Sequence, residues 1–303
     1  MTRLQKPTPA DRARANRERR IQQLKKRDRL RPALDAYDAI RKRLADEGGK
    51  DPAVEGLAYL TEIFLNSYGI VLDQIAAAGK DGIARVNAIK RSAGTNFQGL
   101  CEFAILWWLQ TTDLPVNVRP NAPKAMKDEL TIYGVDVEGE FSVEPDIDIC
   151  LWQEASGPTS PIIFLSAKTS LVDRAGQAAR WKLYLDLHQT SCPYTKQVAD
   201  CPIHRTQVKI KTKHPIEHCV VTANIYKIGT TQPEGELRSG QCRNNTYMFR
   251  HKFTTRSDPR EYRPSGWKSF AEFPALVKQV FEAAVPPRLS DGQLLVLPQC
   301  IPR

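Results

Sequence analysis

The sequence predicts an α/β fold, a mixed central sheet flanked by helices, with a helical N-terminal region in front of it. Three observations predict it. Through roughly the first 112 residues, apolar side chains recur at spacings of three and four, the period of an amphipathic helix. The period then shortens to two in EFSVEPDIDICLWQ (140–153), as in a half-buried strand. Two continuous apolar runs, PIIFLSAKTS (161–170) and HCVVTANIYKIG (218–229), read as buried strands separated by a helix. Strands and helices in this order call for a sheet covered by helices.

Taken in order, residues 8–48 read as helix with a break near Pro32. Leu34, Tyr37, Ile40 and Leu44 form one apolar stripe there, and Gly48-Gly49 closes it. A second helix covers 53–78 and stops at Gly79, a third 82–91, and a strongly apolar fourth 95–111. Pro115 to Pro120 reads as a short strand, and 121–137 is left undecided. After the strands at 140–153 and 161–170, a helix is expected from Asp173 to Gln189, with Trp181, Leu183 and Leu187 toward the core. The strand at 218–229, a further strand at 246–253 and a closing helix at 267–285, in spite of Pro274, complete the order. This divides the chain into a basic helical region, 1–80, and an α/β core, 81–303.

The chain of 303 residues is 41% hydrophobic, enough for a sizeable core. No run of 18 apolar residues suggests a membrane span, and the N-terminus lacks the apolar segment of a secretory signal. The cytoplasm is the expected compartment. The formal charge of +10 is concentrated: residues 1–31 hold twelve Lys and Arg against Asp11, Glu18 and Asp28. Such an excess suits contact with a phosphate backbone, although a merely solvated tail would look the same. Seven cysteines, an odd number, point to reduced thiols. Cys192, Cys201, His204, His214, His218 and Cys219 lack the tight spacing of a zinc finger, so core and loop roles are expected for them.

The chemistry centres on Asp146 and Lys168, carried by neighbouring strands that the turn-rich ASGPTSP (155–161) would bring side by side. A carboxylate offers hard oxygen to Mg²⁺, which polarises a phosphate and acidifies water. A lysine beside it can orient the water or neutralise charge that develops on the phosphate. Glu102, inside the apolar fourth helix, is the candidate second acid, because a buried glutamate is costly unless paired or metal-bound. An exposed helix-face carboxylate is the alternative. Asp148, two residues after Asp146, is held in reserve. By itself the spacing is a weak signal, and the text after the lysine strengthens it.

That text, SAKTSLVDRAGQAARW, resembles the catalytic core of type II restriction endonucleases of the PD-(D/E)xK superfamily. The likeness is to their CCGG/CCNGG-recognising branch, that of EcoRII, PspGI and PfoI. There the lysine is followed by two small hydroxyl residues, an acid-arginine pair and a glutamine, here Thr169-Ser170, Asp173-Arg174 and Gln177. Upstream, KRSAGTNFQGLCE (90–102) resembles the branch's helix start ending in glutamate. The resemblance covers roughly residues 88–185.

It implies a restriction-endonuclease-like core that cuts both strands of double-stranded DNA at a short palindromic, CCNGG-like site, with Mg²⁺ as cofactor. It further implies Asp146 and Glu102 as metal ligands, Lys168 as catalytic cation, and Asp173, Arg174, Gln177, Arg91 and Ser92 as DNA contacts. A carboxylate can read cytosine N4 and a guanidinium guanine O6 and N7, whereas Asp173 as a plain helix cap is the bland reading. A palindromic target implies a homodimer. The family places a glutamate about 13 residues beyond the lysine, where this chain has Trp181, which leaves the number of metal ions open. Base extrusion onto Tyr59, Phe64 or Tyr68 is conceivable, but their helical spacing favours core packing. The rival readings are a structure-specific repair or junction nuclease and a non-catalytic DNA-binding protein.

Overall fold

The structure is a computed structural model that describes residues 6–79, 81–136, 139–145, 147–153, 157, 159–169, 181–182, 184–185, 209–223, 246, 249–257 and 266–282. Helix α1 (Pro9–Lys25) starts at a reciprocal cap between Thr8 and Asp11, and α2 (Arg31–Asp46) carries Pro32 in its first turn. Pro32 therefore begins a helix rather than bending one, since a first-turn proline gives up no helical hydrogen bond. A short helix, α3 (Pro52–Glu55), and one turn of 3-10 helix lead into α4 (Leu60–Ala77).

The helices expected at 82–91 and 95–111 are one element, α5 (Gly82–Gln110), 29 residues long. Gly94 and Gly99 do not interrupt it. Gly99 instead permits close packing, because a Cβ there would meet Leu30 Cδ2 at 2.8 Å. The undecided stretch 121–137 holds α6 (Lys124–Leu130) and β2 (Ile132–Asp136), after β1 (Val116–Arg119). The single strand expected at 140–153 is two, β3 (Gly139–Val143) and β4 (Ile149–Gln153), in different sheets. Next come β5 (Ile162–Lys168), β6 (Lys209–Ile210), β7 (Ile216–Thr222) and β8 (Lys252–Thr254). The expected closing helix is instead β9 (Trp267–Ser269), a 3-10 turn capped by Ser269, and α7 (Phe273–Glu282). Pro274 again falls in a first turn, so the helix starts there and not at Trp267.

Six strands form a mixed sheet in the order β1-β4-β5-β7-β8-β9. The β1–β4 and β4–β5 pairs are antiparallel, and β5–β7, β7–β8 and β8–β9 are parallel. A second, antiparallel sheet runs β3-β2-β6. This mixed α/β architecture, helices flanking the six-stranded sheet behind an N-terminal helical region, is consistent with a restriction-endonuclease-like fold.

Alternation along β5 separates two cores. Ile163, Leu165 and Ala167 join a cluster with α5, which also takes in Leu24, Leu34 and Phe64 of the N-terminal helices and Phe273 of α7. Ile162 and Phe164 face a second cluster with Cys150, Trp181 and Leu185. The N-terminal helices thus share a continuous core with the main sheet. Within it Phe64 is 1% exposed and stacks on Tyr68 at 5.2 Å between ring centroids, which is the packing role their spacing suggested.

Part of the basic N-terminal charge is built into this packing. Arg17 is 1% exposed and donates from Nη1 to the carbonyls of Leu114 and Val116, both at 2.8 Å. Burial pulls its guanidinium down to about 10, so it remains charged at neutral pH. Arg19, Lys26 and Arg27 stay on the exposed surface. No helix among the described residues is long and apolar enough to cross a membrane.

Candidate active site

Lys168 is the last residue of β5 and only 3% exposed. Its backbone is fixed by the parallel neighbour, pairing with Thr222 and accepting from the Ala223 amide at 3.2 Å. A buried ammonium requires a partner. It has one in Asp148, whose Oδ2 lies 2.7 Å from Lys168 Nζ. The same oxygen accepts from the Ala167 amide at 2.9 Å. Asp148 stands immediately before β4, one step beyond the last paired residues Ile149 and Leu165, so its carboxylate caps the antiparallel ladder. From the α5 side, the Gln98 amide donates to the Asp148 carbonyl. Among the described residues, the reserve acid of the sequence is the one placed against the lysine. Asp146 lies outside the described residues.

Glu102 is buried as expected, at 1% exposure, yet its carboxylate is occupied by a different cation. Arg20 of α1 grips it through two bonds, Nε to Oε1 at 2.6 Å and Nη2 to Oε2 at 3.0 Å. Burial raises the Glu102 carboxyl above its ordinary value, against the pull of Arg20, Arg27 and Arg119. The structure therefore brings Lys168 to Asp148 and joins Glu102 to the N-terminal helix. On α5 it is Gln98, one turn earlier, that reaches the acid beside the lysine.

Of the expected DNA contacts, Arg91 is exposed on α5. Ser92 is buried, at 6% exposure, and accepts from Arg29 Nη1 at 3.3 Å. Asp173, Arg174 and Gln177 lie outside the described residues, as do Cys192, Cys201 and His204. Trp181 is 8% exposed and packs in the second core beside Tyr184, so that position serves as a wall rather than an acid. His218 and Cys219 sit in the interior of β7 as core residues.

Among the described residues, no three or more His, Cys, Asp and Glu side chains gather as a metal cluster. A magnesium ion does not need such a cluster, since it keeps several waters and takes one or two protein carboxylates. Asp148, with hard oxygens at the sheet end beside a cation, suits that donor requirement. In the sequence Asp148 stands in reserve because it shares a face with Asp146 only if the strand is regular there. The strand begins only at Ile149, so alternation does not govern the residues before it.

Residues 123–269 match the family model of the BsaWI restriction endonuclease, type 2. The match spans just under half of the 303 residues, from the start of α6 to the end of β9, and includes both Asp148 and Lys168. No curated protein matches the chain. The match supports a type II restriction endonuclease and hence a site-specific nuclease with DNA as its substrate.

Proposed function

We propose that the protein cleaves both strands of duplex DNA at a short palindromic, CCNGG-like sequence by magnesium-dependent phosphodiester hydrolysis. The observation that carries this reading is the pair of a buried Lys168 and a half-buried Asp148 at adjoining strand ends, inside the segment that matches the restriction-enzyme family. A solvent-facing ion pair would mean little, but a lysine at 3% exposure has been desolvated at considerable cost. Cost of that kind is commonly accepted where the group acts on a substrate.

In this reading Asp148 holds the metal, with Asp146 as the second carboxylate by its place in the sequence. Bound there, the ion supplies Lewis-acid polarisation of the scissile phosphate. The Lys168 ammonium orients the attacking water and offsets the charge that builds on the phosphate oxygens. The Ala167 amide holds the Asp148 carboxylate, and Gln98 holds the Asp148 backbone carbonyl, so the acid is positioned before DNA arrives. Glu102, bound to Arg20, anchors α1 to the core. Arg19, Lys26 and Arg27 then offer a cationic surface to the DNA backbone. Asp173, Arg174 and Gln177 read bases, and a two-fold homodimer matches the symmetry of a palindrome.

The sequence specificity is tested by digesting unmethylated plasmid DNA with magnesium and sequencing the fragment ends. All ends mapping to one palindromic CCNGG-like motif, with staggered or blunt cuts at fixed positions, is the expected result. Ends scattered over unrelated sequences, or clustered at branched structures, would overturn the assignment of a restriction enzyme.

A further inference from the structure

Two residues before Lys168, on the same face of β5, stands Ser166. It is 1% exposed, and its Oγ lies 2.9 Å from Nε2 of His218 on β7. The imidazole is enclosed by the rings of Phe164 and Phe249, both edge-on to it. Its other nitrogen, Nδ1, is buried with no hydrogen-bond partner among the described residues. Burial, with Lys182 and Lys168 nearby, pushes His218 down to about 3, so the ring is neutral at working pH and carries one N–H.

The location of that proton follows from the environment. Placed on Nδ1, it would be an orphaned buried donor, which is rarer in folded proteins than an under-used acceptor. The N–H is therefore on Nε2 and is donated to Ser166 Oγ. This takes an oxygen lone pair and turns the serine's own proton away from the ring. By continuation of the β4–β5 register, Asp148 stands opposite Ser166, and side chains so opposed lie about 5 Å apart at Cβ. That leaves the hydroxyl proton free to point toward the sheet end where Asp148 and Lys168 meet.

We propose that Ser166 is a further catalytic residue, donating a hydrogen bond from its hydroxyl to a non-bridging oxygen of the scissile phosphate, and that His218 is the positioning residue that aims it. The proposal rests on reading the site as a DNA phosphodiesterase. A neutral donor here reinforces the field of Lys168 without adding negative charge beside the phosphate.

The test is single-turnover cleavage of plasmid DNA by the full chain with magnesium, comparing Ser166→Ala, His218→Phe, His218→Gln and the double variant Ser166→Ala/His218→Phe. Thermal midpoints and DNA affinity in EDTA are measured alongside. Ser166→Ala and His218→Phe are each expected to slow cleavage at saturating protein by about tenfold or more, with affinity unchanged. The double variant should be no slower than Ser166→Ala, because both changes remove one interaction. His218→Gln, which keeps an amide donor near the Nε2 position, should restore most of the rate. Cleavage by Ser166→Ala at the wild-type rate, or fully additive losses in the double variant, would overturn the proposal alone. Ser166→Ala decides the matter if His218→Phe fails to fold. A wild-type protein that cuts no DNA would overturn the phosphodiesterase reading and the proposal with it.

Discussion

Lys168 Nζ, at the inner end of a side chain that is 3% exposed, meets Asp148 Oδ2 at 2.7 Å, so in the proposed function the same contact serves both stability and catalysis. Removing one partner of a buried pair strands the other at a cost of about 3–5 kcal/mol. His218 makes the complementary case of a buried base held neutral. Its native value of about 3 lies below the ordinary 6.5, so between these values the unfolded chain binds a proton that the folded chain refuses. Its contribution to stability is complete above pH 6.5 and is lost as the pH falls toward 3. Urea midpoints of the wild type and His218→Gln, measured across that range, should converge as the pH drops. A difference that stays constant would show that His218 is not held neutral.

At the scale of elements, α1 is the instructive case. The sequence showed its charge plainly and suggested a basic arm, but the charge alone did not reveal which arginines face inward. Arg17 spans to the carbonyls that precede and begin β1, and Arg20 closes on Glu102 of α5. Arg17→Ala should therefore destabilise the fold by about 2–4 kcal/mol, since two buried carbonyls lose their donor. Chemical denaturation measures this directly, and a cost below about 0.5 kcal/mol would mean α1 is a loosely attached tail. Other elements were legible for simple reasons. The strands β5 and β7 declared themselves as short continuous apolar runs, and α2 by the period of its apolar stripe. The split between β3 and β4 did not, because EFSVEPDIDICLWQ keeps one alternating pattern while its two halves join different sheets. Long-range pairing, which leaves no local trace, decided it. The same break leaves Asp148 just outside strand alternation, where its carboxylate meets Lys168.

For the whole molecule, a continuous core ties the N-terminal helices to the six-stranded sheet, so the basic surface of α1 is held in fixed relation to the acid-lysine pair. In the proposed function, DNA-backbone contact and bond cleavage are linked through this core, with α5 as the connecting beam: Glu102 takes Arg20 and Gln98 takes the Asp148 carbonyl. The central claim is that Asp148 and Lys168 form the catalytic centre of a magnesium-dependent DNA nuclease. It is tested most directly by plasmid digestion with and without magnesium by the wild type, Lys168→Ala and Asp148→Asn, each shown to be folded by circular dichroism. The account predicts discrete fragments from the wild type only when magnesium is present, and a loss of cleavage of about a hundredfold or more in each variant. Cleavage that persists in folded Lys168→Ala or Asp148→Asn would contradict it.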